Sequence, residues 1–349
     1  MIGAANAFPI SSDEKRERLR PHEENIMKTV LACTVFGVAA MGALPVLAQS
    51  DFPSQPITLV VPFAAGGSTD LVARLVAQHM GQTLGQQILV DNRAGAGGNL
   101  GAQVVAEAEP NGYTIIMGTI ATHALSASLS DNPTFDPIED FEPIAWLVTV
   151  PNVLAVHPDF PAQTVEELIA LLEADPQGYV YASSGNGTPL HLSGELFKSL
   201  AGVEMEHVPY QGSGPALVDV MGGQVPMLFD NLPSATEPIR TGQLRALAVT
   251  TAERAANFPD LPTMQEAGVE GYETNSWNAL FAPAGTPPEV VAVIEEAALA
   301  AMADPALTAR LEEVGAIIVG EGSEALGQHV EAEVARWAPV IEAAGVMMN

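Results

Sequence analysis

Positive charge and cysteine are both scarce in this sequence. Its 349 residues include 13 Lys and Arg against 42 Asp and Glu, a formal net charge of −29, and Cys33 is the one cysteine. We expect no nucleic-acid partner, because binding nucleic-acid phosphates requires clustered Lys and Arg. One cysteine cannot form a disulfide within the chain or a cysteine-rich metal site. The 48% hydrophobic fraction is typical of a globular protein, and the length suggests about two domains.

Several catalytic and nucleotide-binding motifs are also missing. The chain has no Gly-x-Ser-x-Gly turn and no pair of histidines at metal-ligand spacing beyond the N-terminal segment. A P-loop needs a lysine after its glycines, but the only lysine beyond residue 28 is Lys198, in a predicted helix. The Gly-rich segment 95–101 has Leu100 where the dinucleotide fingerprint needs glycine. We therefore expect no metal, no cofactor and no enzymatic activity.

The first 48 residues resemble a targeting segment. Met27 and Lys28 are followed by an apolar, small-residue run that ends in Val46-Leu47-Ala48. A positive start, an apolar run and a small-residue end predict a signal peptide over 27–48; a transmembrane anchor is the alternative. Because signals rarely begin so late, we expect residues 1–26 to be a mis-called extension, with translation starting at Met27.

Strand-like and helix-like runs alternate through the rest of the chain. Strands are predicted at 57–62, 87–91, 113–118, 143–149, 152–156, 178–182, 205–208, 225–230, 244–249 and 277–282. Helices are predicted at 69–84, 99–109, 164–175, 189–201, 213–222, 232–241, 287–302, 305–313 and 323–344. This alternation predicts an α/β fold, with parallel sheets covered by helices on both faces.

Gly-rich segments follow strands in both halves of the chain. Ligands of α/β sheets bind at the carboxyl ends of strands, so two lobes facing each other across a cleft would gather these segments. Pro151 is a plausible crossing between the lobes, and 272–277 a plausible return. We therefore predict one lobe from 53–151 plus 277–349 and a second from 152–276.

The turn "PFAAGGSTD" (62–70) suits an anion without any positive side chain. Gly66 and Gly67 let the backbone approach a ligand, and Ser68 or Thr69 could cap the helix that follows. A helix N-terminus offers unpaired N–H groups and a partial positive charge. The segment "SSGNGTP" (183–189) repeats this device, with neutral side chains before a helix near Pro189.

A family resemblance is carried by motifs in order along the chain. They include "PITLVVPFAAGGSTDLVARLVA" (56–77), "VDNRAGAGGNLGAQVVAEAEPNGYTIIMGT" (90–119), "VYASSGNGTPLHLSGELFK" (180–198) and "HVPYQGSGPALVDVMGGQVPMLFDNLPSA" (207–235). The sequence resembles periplasmic substrate-binding proteins of the tripartite tricarboxylate transporter system, the Bug receptor family. The resemblance covers essentially all of 53–349.

This resemblance implies a two-domain periplasmic-binding-protein (Venus flytrap) fold, type II-like, that closes on a small organic carboxylate. It implies a periplasmic location and delivery of the ligand to a membrane permease of one large and one small subunit; we expect a monomer. Segments 63–70, 119–123 and 183–191 would form the site, together with 212–213 and 229–231. The implied ligand-binding residues are Phe63, Ala65, Gly66, Gly67, Ser68, Asp70, Thr119, Ala121, Thr122, His123, Ser183, Ser184, Gly185, Asn186, Thr188, His191, Gly212, Ser213, Phe229 and Asp230.

Some questions stay open at the level of sequence. Asp230 would suit a ligand with an amine, or it could hydrogen-bond within its own turn. Many relatives carry Asn about where Ser126 stands, so ligand identity is not transferred. A sensor for a signalling partner would use the same fold, and an enzyme on this fold would need His191 or Asp70 as its acid or base.

Overall fold

The computed structural model describes residues 52–129 and 133–344. The predicted extension 1–26 and signal peptide 27–48 lie outside the described residues. Within the described ranges, no helix has both the length and the hydropathy needed to span a membrane.

Ten strands of the described chain form one mixed sheet, in the order β2-β1-β3-β9-β4-β7-β5-β6, with β10 and β8 also paired to β4. The strands are β1 Ile57–Val61, β2 Ile88–Asn92, β3 Thr114–Thr119, β4 Phe141–Val156, β5 Val180–Ser183, β6 Glu206–Pro209, β7 Met227–Asn231, β8 Arg245–Val249, β9 Asn275–Pro283 and β10 Ile317–Gly322.

The helices of the described chain lie between these strands and after them. They are α1 Ser68–Leu84, α2 Asn99–Ala106, α3 Ser126–Leu129, α4 Val165–Ala174, α5 Pro189–Ala201, α6 Ser213–Met221, α7 Leu232–Arg240, α8 Pro288–Met302, α9 Pro305–Glu313 and α10 Ser323–Ala344. A single π-helical turn, Ala121–Leu125, leads into α3. The predicted α/β fold class is confirmed.

One long strand joins two parts of the sheet. β4 pairs with β9 as far as Pro151, and from Asn152 onward it pairs with β7 and β8. We call β1–β3, β9, β10 and the start of β4 the first half-sheet, and β5–β8 with the end of β4 the second half-sheet. The prediction of two separate strands at 143–149 and 152–156 was wrong. The chain stays extended through Pro151, whose missing N–H falls where β4 exchanges partners.

The expectation of parallel sheets was right for only part of the strands. β1 runs parallel to β2 and β3, and β5 runs parallel to β6 and β7. The central strands β4 and β9 are antiparallel to each other, and β9 is antiparallel to β3. Strand β10 was not predicted; its six residues include two glycines, and none of them is buried. A short strand without a buried face gives little periodic signal.

Each half-sheet is covered on both faces. Along β1, Leu59 packs into one hydrophobic core and Val60 into another on the opposite face. Along the end of β4, Leu154 and Ala155 separate in the same way. Since successive strand side chains alternate between faces, a sheet buried on both sides needs continuous apolar runs such as Leu59-Val60-Val61. This packing fixes the strand ends that carry the candidate site.

Candidate functional site

The loop after β1, residues 62–67 (loop A), ends at an open helix N-terminus. Gly67 occupies the N-cap position of α1 in an extended conformation, and no side chain caps the helix. Ser68 and Thr69, expected as alternative caps, instead lie in the first turn, and both are buried. The first N–H groups of a helix have no intrahelical acceptor, so loop A presents unpaired donors and the positive end of the helix dipole.

The carboxylate of Asp70 holds loop A in place. Its Oδ2 accepts hydrogen bonds from the Gly66 amide (3.1 Å) and from Arg74 Nε (3.0 Å), and its Oδ1 accepts one from Asn92 Nδ2 (3.0 Å). The Asn92 amide also donates to the carbonyl of Phe63 at 3.0 Å. Burial acts to raise the pKa of Asp70, but the bonds from Arg74, Gly66 and Asn92 outweigh it and hold the pKa below its ordinary value. Asp70 is therefore charged and already engaged within the protein.

The loop after β5, residues 184–188 (loop B), is built differently. Thr188 caps α5: its Oγ1 accepts from the His191 amide (3.4 Å) and donates to the Gly185 carbonyl (2.7 Å). Ser183 Oγ lies 2.6 Å from His207 Nε2 and accepts from the Gly185 amide at 3.1 Å. The polar groups of loop B are therefore largely used to hold the loop itself.

Two stacked histidines support loop B from below. The rings of His191 and His207 lie 4.0 Å apart and 13° from parallel, and His191 Nδ1 accepts from the Gly187 amide at 3.2 Å. Burial lowers the pKa of His207 to about 3 and lowers that of His191 as well. Both rings are therefore neutral near pH 7.

His123 lies behind the third strand-end segment. Thr122 Oγ1 bonds to the amide of Thr119 (3.0 Å) and to His123 Nδ1 (2.8 Å). The imidazole is fully buried, stacks on Phe281 at 3.8 Å and meets the edge of Phe141. Burial lowers its pKa to about 3. His123 thus helps to hold Thr119 in place through Thr122.

These segments enclose a small cavity between the two half-sheets. It has a volume of about 20 Å³, which is room for roughly one or two water molecules. Its lining comes almost entirely from strand ends: Phe63, Ala64, Gly67, Ser68, Thr69, Asp70, Thr119, Ala121, Ser184, Pro189, Ser213, Asn231, Ser276, Trp277 and Asn278. Among these described lining residues there is no Lys, Arg or His.

Several polar atoms at this cavity lack a hydrogen-bond partner in the described chain. They are Ser68 Oγ, Trp277 Nε1, Asn278 Oδ1 and Asn231 Oδ1. Ser68, Trp277 and Asn278 are each at most 2% exposed. An unsatisfied buried polar group costs roughly 1–3 kcal/mol, so such groups are rare and call for a partner. Four around one cavity call for partners from outside the chain, either ordered water or a polar ligand.

A buried carboxyl group lies next to this lining. Asp230 is fully buried, Ser234 Oγ donates to its Oδ2 at 2.8 Å, and its Oδ1 has no partner in the described chain. Burial raises the pKa of Asp230 to about 6, against the effect of its hydrogen bonds. Asp230 does form a bond within its own turn, as one of the two alternatives foresaw.

The two half-sheets touch at the mouth of the cavity. The Ala64 amide donates to the Gln211 carbonyl at 2.8 Å. A Cβ placed on Gly67 would lie 3.2 Å from Ser213 Cβ, and one on Gly214 would overlap the carbonyl oxygen of Ala65. Glycine at these positions therefore allows the close approach of the two sides.

Comparison with known proteins agrees with this geometry. The model of the tripartite tricarboxylate transporter family receptor matches residues 72–346. The chain belongs to this family. Relatives of this receptor include a UPF0065 protein in the TAR-I ttuE-ttuC' intergenic region of Agrobacterium vitis, 36% identical over 99% of both chains. Protein BugT of Bordetella pertussis is 34% identical over 93% of this chain and 99% of its own.

Solved structures of similar receptors share the fold. R. palustris Rpa4515 with adipate is 42% identical, covers 85% of this chain and 99% of that one, and has a TM-score of 0.82. MatC (Rpa3494) from Rhodopseudomonas palustris with bound malate is 36% identical, covers 83% and 100%, and has a TM-score of 0.80. The periplasmic binding protein BugD is 38% identical over 85% and 99%, with a TM-score of 0.82. The predicted family and its binding-protein fold are confirmed.

The receptor brings only part of the predicted residue set to the cavity. Phe63, Gly67, Ser68, Asp70, Thr119, Ala121, Ser184 and Ser213 line it. Gly185 and Asn186 line a neighbouring chamber. The remaining predicted residues do not line the cavity: Ala65, Gly66, Thr122, His123, Ser183, Thr188, His191, Gly212, Phe229 and Asp230.

The start of β9 supplies the lining that the sequence did not predict. Ser276, Trp277 and Asn278 line the cavity, although the sequence predicted only a crossing between lobes at 272–277 and a strand at 277–282. The sequence did carry a signal, because polar residues occupy the first positions of an otherwise apolar strand, "NSWNALFAP". Fully buried polar side chains within a strand need partners, which is the sign of a site.

Proposed function

We propose that this chain is a periplasmic solute receptor that binds a small organic carboxylate and delivers it to a tripartite membrane permease. The observation that carries the proposal is the set of unpartnered buried polar atoms around the cavity, above all Ser68 Oγ and Trp277 Nε1. Ser68 Oγ, Trp277 Nε1 and the uncapped start of α1 form a cluster of neutral donors, whereas Asn231 Oδ1 and Asn278 Oδ1 are acceptors.

Such a cluster favours an anion over a cation or a neutral ligand. Trp277 Nε1–H can only donate, and the first-turn amides of α1 can only donate. A carboxylate offers two acceptor oxygens and gains from the positive end of the helix dipole. The absence of Lys or Arg from the described lining means that the ligand's charge is met by backbone and neutral groups.

The relatives support the same ligand class. Adipate and malate, bound in two of the similar structures, are both carboxylates. Membership of a transporter receptor family supports delivery to a permease and a periplasmic location. We infer that capture begins on the first half-sheet, that the second closes over the ligand, and that the contact between Ala64 and Gln211 then helps to hold the two sides together.

A binding screen tests this proposal. Purified protein is titrated calorimetrically with succinate, malate, adipate, hexanoate and benzoate, each beside its uncharged amide. We expect at least one carboxylate to bind and its amide to bind at least 100-fold more weakly. At 100 times its dissociation constant, that carboxylate should stabilise the fold by about 2.7 kcal/mol.

Two variants assign any binding to the cavity. Trp277→Phe keeps an aromatic ring but removes the Nε1–H donor, and it should weaken the carboxylate by roughly tenfold. Trp146→Phe is the matched control, since Trp146 Nε1 is also buried without a partner but lies away from the cavity lining. Equal losses in both variants, or tight binding of the amides, would contradict the proposal.

A further inference from the structure

We propose that a second chamber beside the cavity holds the body of the ligand, so that the receptor selects elongated carboxylates with an uncharged body. This inference rests on the proposed function, because it assumes that the carboxylate head lies in the cavity. It assigns a role to the glycine-rich turn at 95–98, which the predicted site did not include.

The size of the cavity limits what it can hold. A volume of about 20 Å³ accommodates a carboxylate head but not the carbon skeleton attached to it. The walls are also fixed where the half-sheets touch, at the 2.8 Å hydrogen bond from Ala64 to Gln211. With the two sides in contact, the rest of a ligand must lie elsewhere.

A larger chamber adjoins the cavity. It has a volume of about 300 Å³, within the range of small-molecule sites. It shares Phe63 and Ser184 with the cavity, so the two spaces meet at these two residues. The other lining residues are Gly95, Ala96, Gly97, Gly98, Gly185, Asn186, Pro209, Tyr210 and Gln211.

The close packing between the 95–98 turn and Phe63 depends on a glycine. A Cβ on Gly98 would lie 2.9 Å from Thr122 Cγ2 and 3.1 Å from Phe63 Cζ. The backbone of Gly98 is also in the left-handed region, at φ 104°, which favours glycine. The turn at 95–98 can therefore pack directly against the Phe63 ring, which lines both spaces.

The lining residues of the chamber determine which kind of ligand body could bind there. None of its lining side chains, all of them described, is charged. Phe63 and Tyr210 contribute aromatic rings, and Tyr210 is held in place because its hydroxyl donates to Asp219 Oδ2 at 2.7 Å. Such walls combine two aromatic rings with neutral polar groups, so they suit an uncharged body and offer no cation for a second charge.

Affinity as a function of ligand length tests the inference. Dissociation constants are measured for butanoate, hexanoate and octanoate. We expect affinity to rise about threefold to fourfold per methylene group, on the order of 100-fold from butanoate to octanoate. If these carboxylates bind but their affinity does not rise with length, the inference is wrong while the proposed function stands.

A variant whose side chain fills the chamber provides a second test of the inference. Gln211 is exposed and lines the chamber but not the cavity, and its backbone carbonyl rather than its side chain accepts from Ala64. In Gln211→Trp we expect the advantage of octanoate over butanoate to fall at least tenfold. Gln243→Trp, an exposed position outside both spaces, should keep it. An unchanged advantage in Gln211→Trp would overturn the inference, and a failure of all carboxylates to bind would instead overturn the proposed function.

Discussion

Loops A and B look alike in sequence but differ in whether the first amides of the following helix have a capping partner. Both follow a strand, contain glycine and start a helix. In loop A the helix begins after Gly67 with no cap, and hydrogen bonds among Asp70, Arg74 and Asn92 hold the loop, with Asp70 itself part of the cavity lining. In loop B, Thr188 caps the helix by accepting from the His191 amide, and Pro189 at the helix start has no N–H to offer. The difference teaches that a glycine turn before a helix binds an anion only if nothing else occupies the helix N-terminus.

The largest expected effect comes from a side chain placed at Gly67, where it would block the approach of a ligand to loop A. Gly67→Val would place a branched side chain within 3.2 Å of Ser213 Cβ, across the gap between the half-sheets. The backbone at Gly67 has φ −90°, which any residue adopts, so the fold should survive. We expect carboxylate affinity to fall more than 100-fold in calorimetry, with the circular dichroism spectrum unchanged. Normal binding in this variant would remove loop A from the site.

The second effect comes from the support of loop A. Asp70→Asn removes the charge that Arg74 and the Gly66 amide bond, and it should cost about 2 kcal/mol of unfolding free energy and roughly tenfold in affinity. Asp304→Asn is the control, because Asp304 caps another helix by accepting from the Ala306 amide. Because Asn caps a helix about as well as Asp, the control should keep both its affinity and its stability, measured by urea unfolding. A loss of affinity as large in Asp304→Asn would show that the effect is not local.

Lowering the pH should destabilise loop B before it destabilises loop A. The pKa of His207 in the fold is about 3, below its ordinary value of 6.5, so the stability it contributes is present above 6.5 and lost as pH falls towards 3. The loss is about 1.4 kcal/mol per pH unit for one such histidine. His191 acts in the same direction, with Glu195 opposing and Lys198 reinforcing the shift. Asp70, whose pKa lies below 3.8, loses its contribution only in stronger acid.

Hydrogen exchange can measure this separation. Amides at 184–191 should lose protection between pH 6.5 and 4, while those at 63–70 keep it. His207→Gln should flatten the dependence at loop B and leave loop A as it is. If the pH dependence of protection at loop B is the same in His207→Gln as in the unchanged protein, the assignment of His207 to loop B is wrong.

A smaller effect is expected at Asp230. Its raised pKa, about 6, means that the fold is relatively more stable at low pH and loses that contribution as pH rises through 6. A carboxylate bound nearby should gain about tenfold in affinity between pH 8 and pH 5, and Asp230→Asn should abolish this gain. A ligand with an amine would show the opposite trend, which calorimetry at the two pH values would distinguish.

The smallest effect is expected at the cap of loop B. Thr188→Ala removes the acceptor for the His191 amide and should cost about 1 kcal/mol of stability. Because Thr188 does not line the cavity, carboxylate affinity should change less than threefold. A large loss of affinity with little loss of stability would mean that loop B binds the ligand directly.

Sequence reasoning predicted most of the fold, and it predicted the site in part. The apolar run at 57–62 and the helix from 69 were placed to within one residue, because burial on both faces and regular periodicity leave clear patterns. The continuity of β4 through Pro151 was missed, since a proline normally ends a strand unless its N–H is not needed.

The site was harder to predict because its chemistry depends on which polar groups already have partners. Thr188 and Ser68 look equally available in the sequence, but Thr188 bonds within loop B and Ser68 has no partner in the described chain. His123 has a loop-like sequence context but lies in an aromatic core. Trp277 and Asn278 belong to a strand far along the chain, and only the pairing of β9 with β3 and β4 brings them to loop A.

A crystal structure with a bound carboxylate from the screen tests the central claim most directly. We predict one carboxylate group within hydrogen-bond distance of the first-turn amides of α1 and of Trp277 Nε1. A carboxylate held instead by loop B, or a ligand bound outside the cavity, would contradict the account.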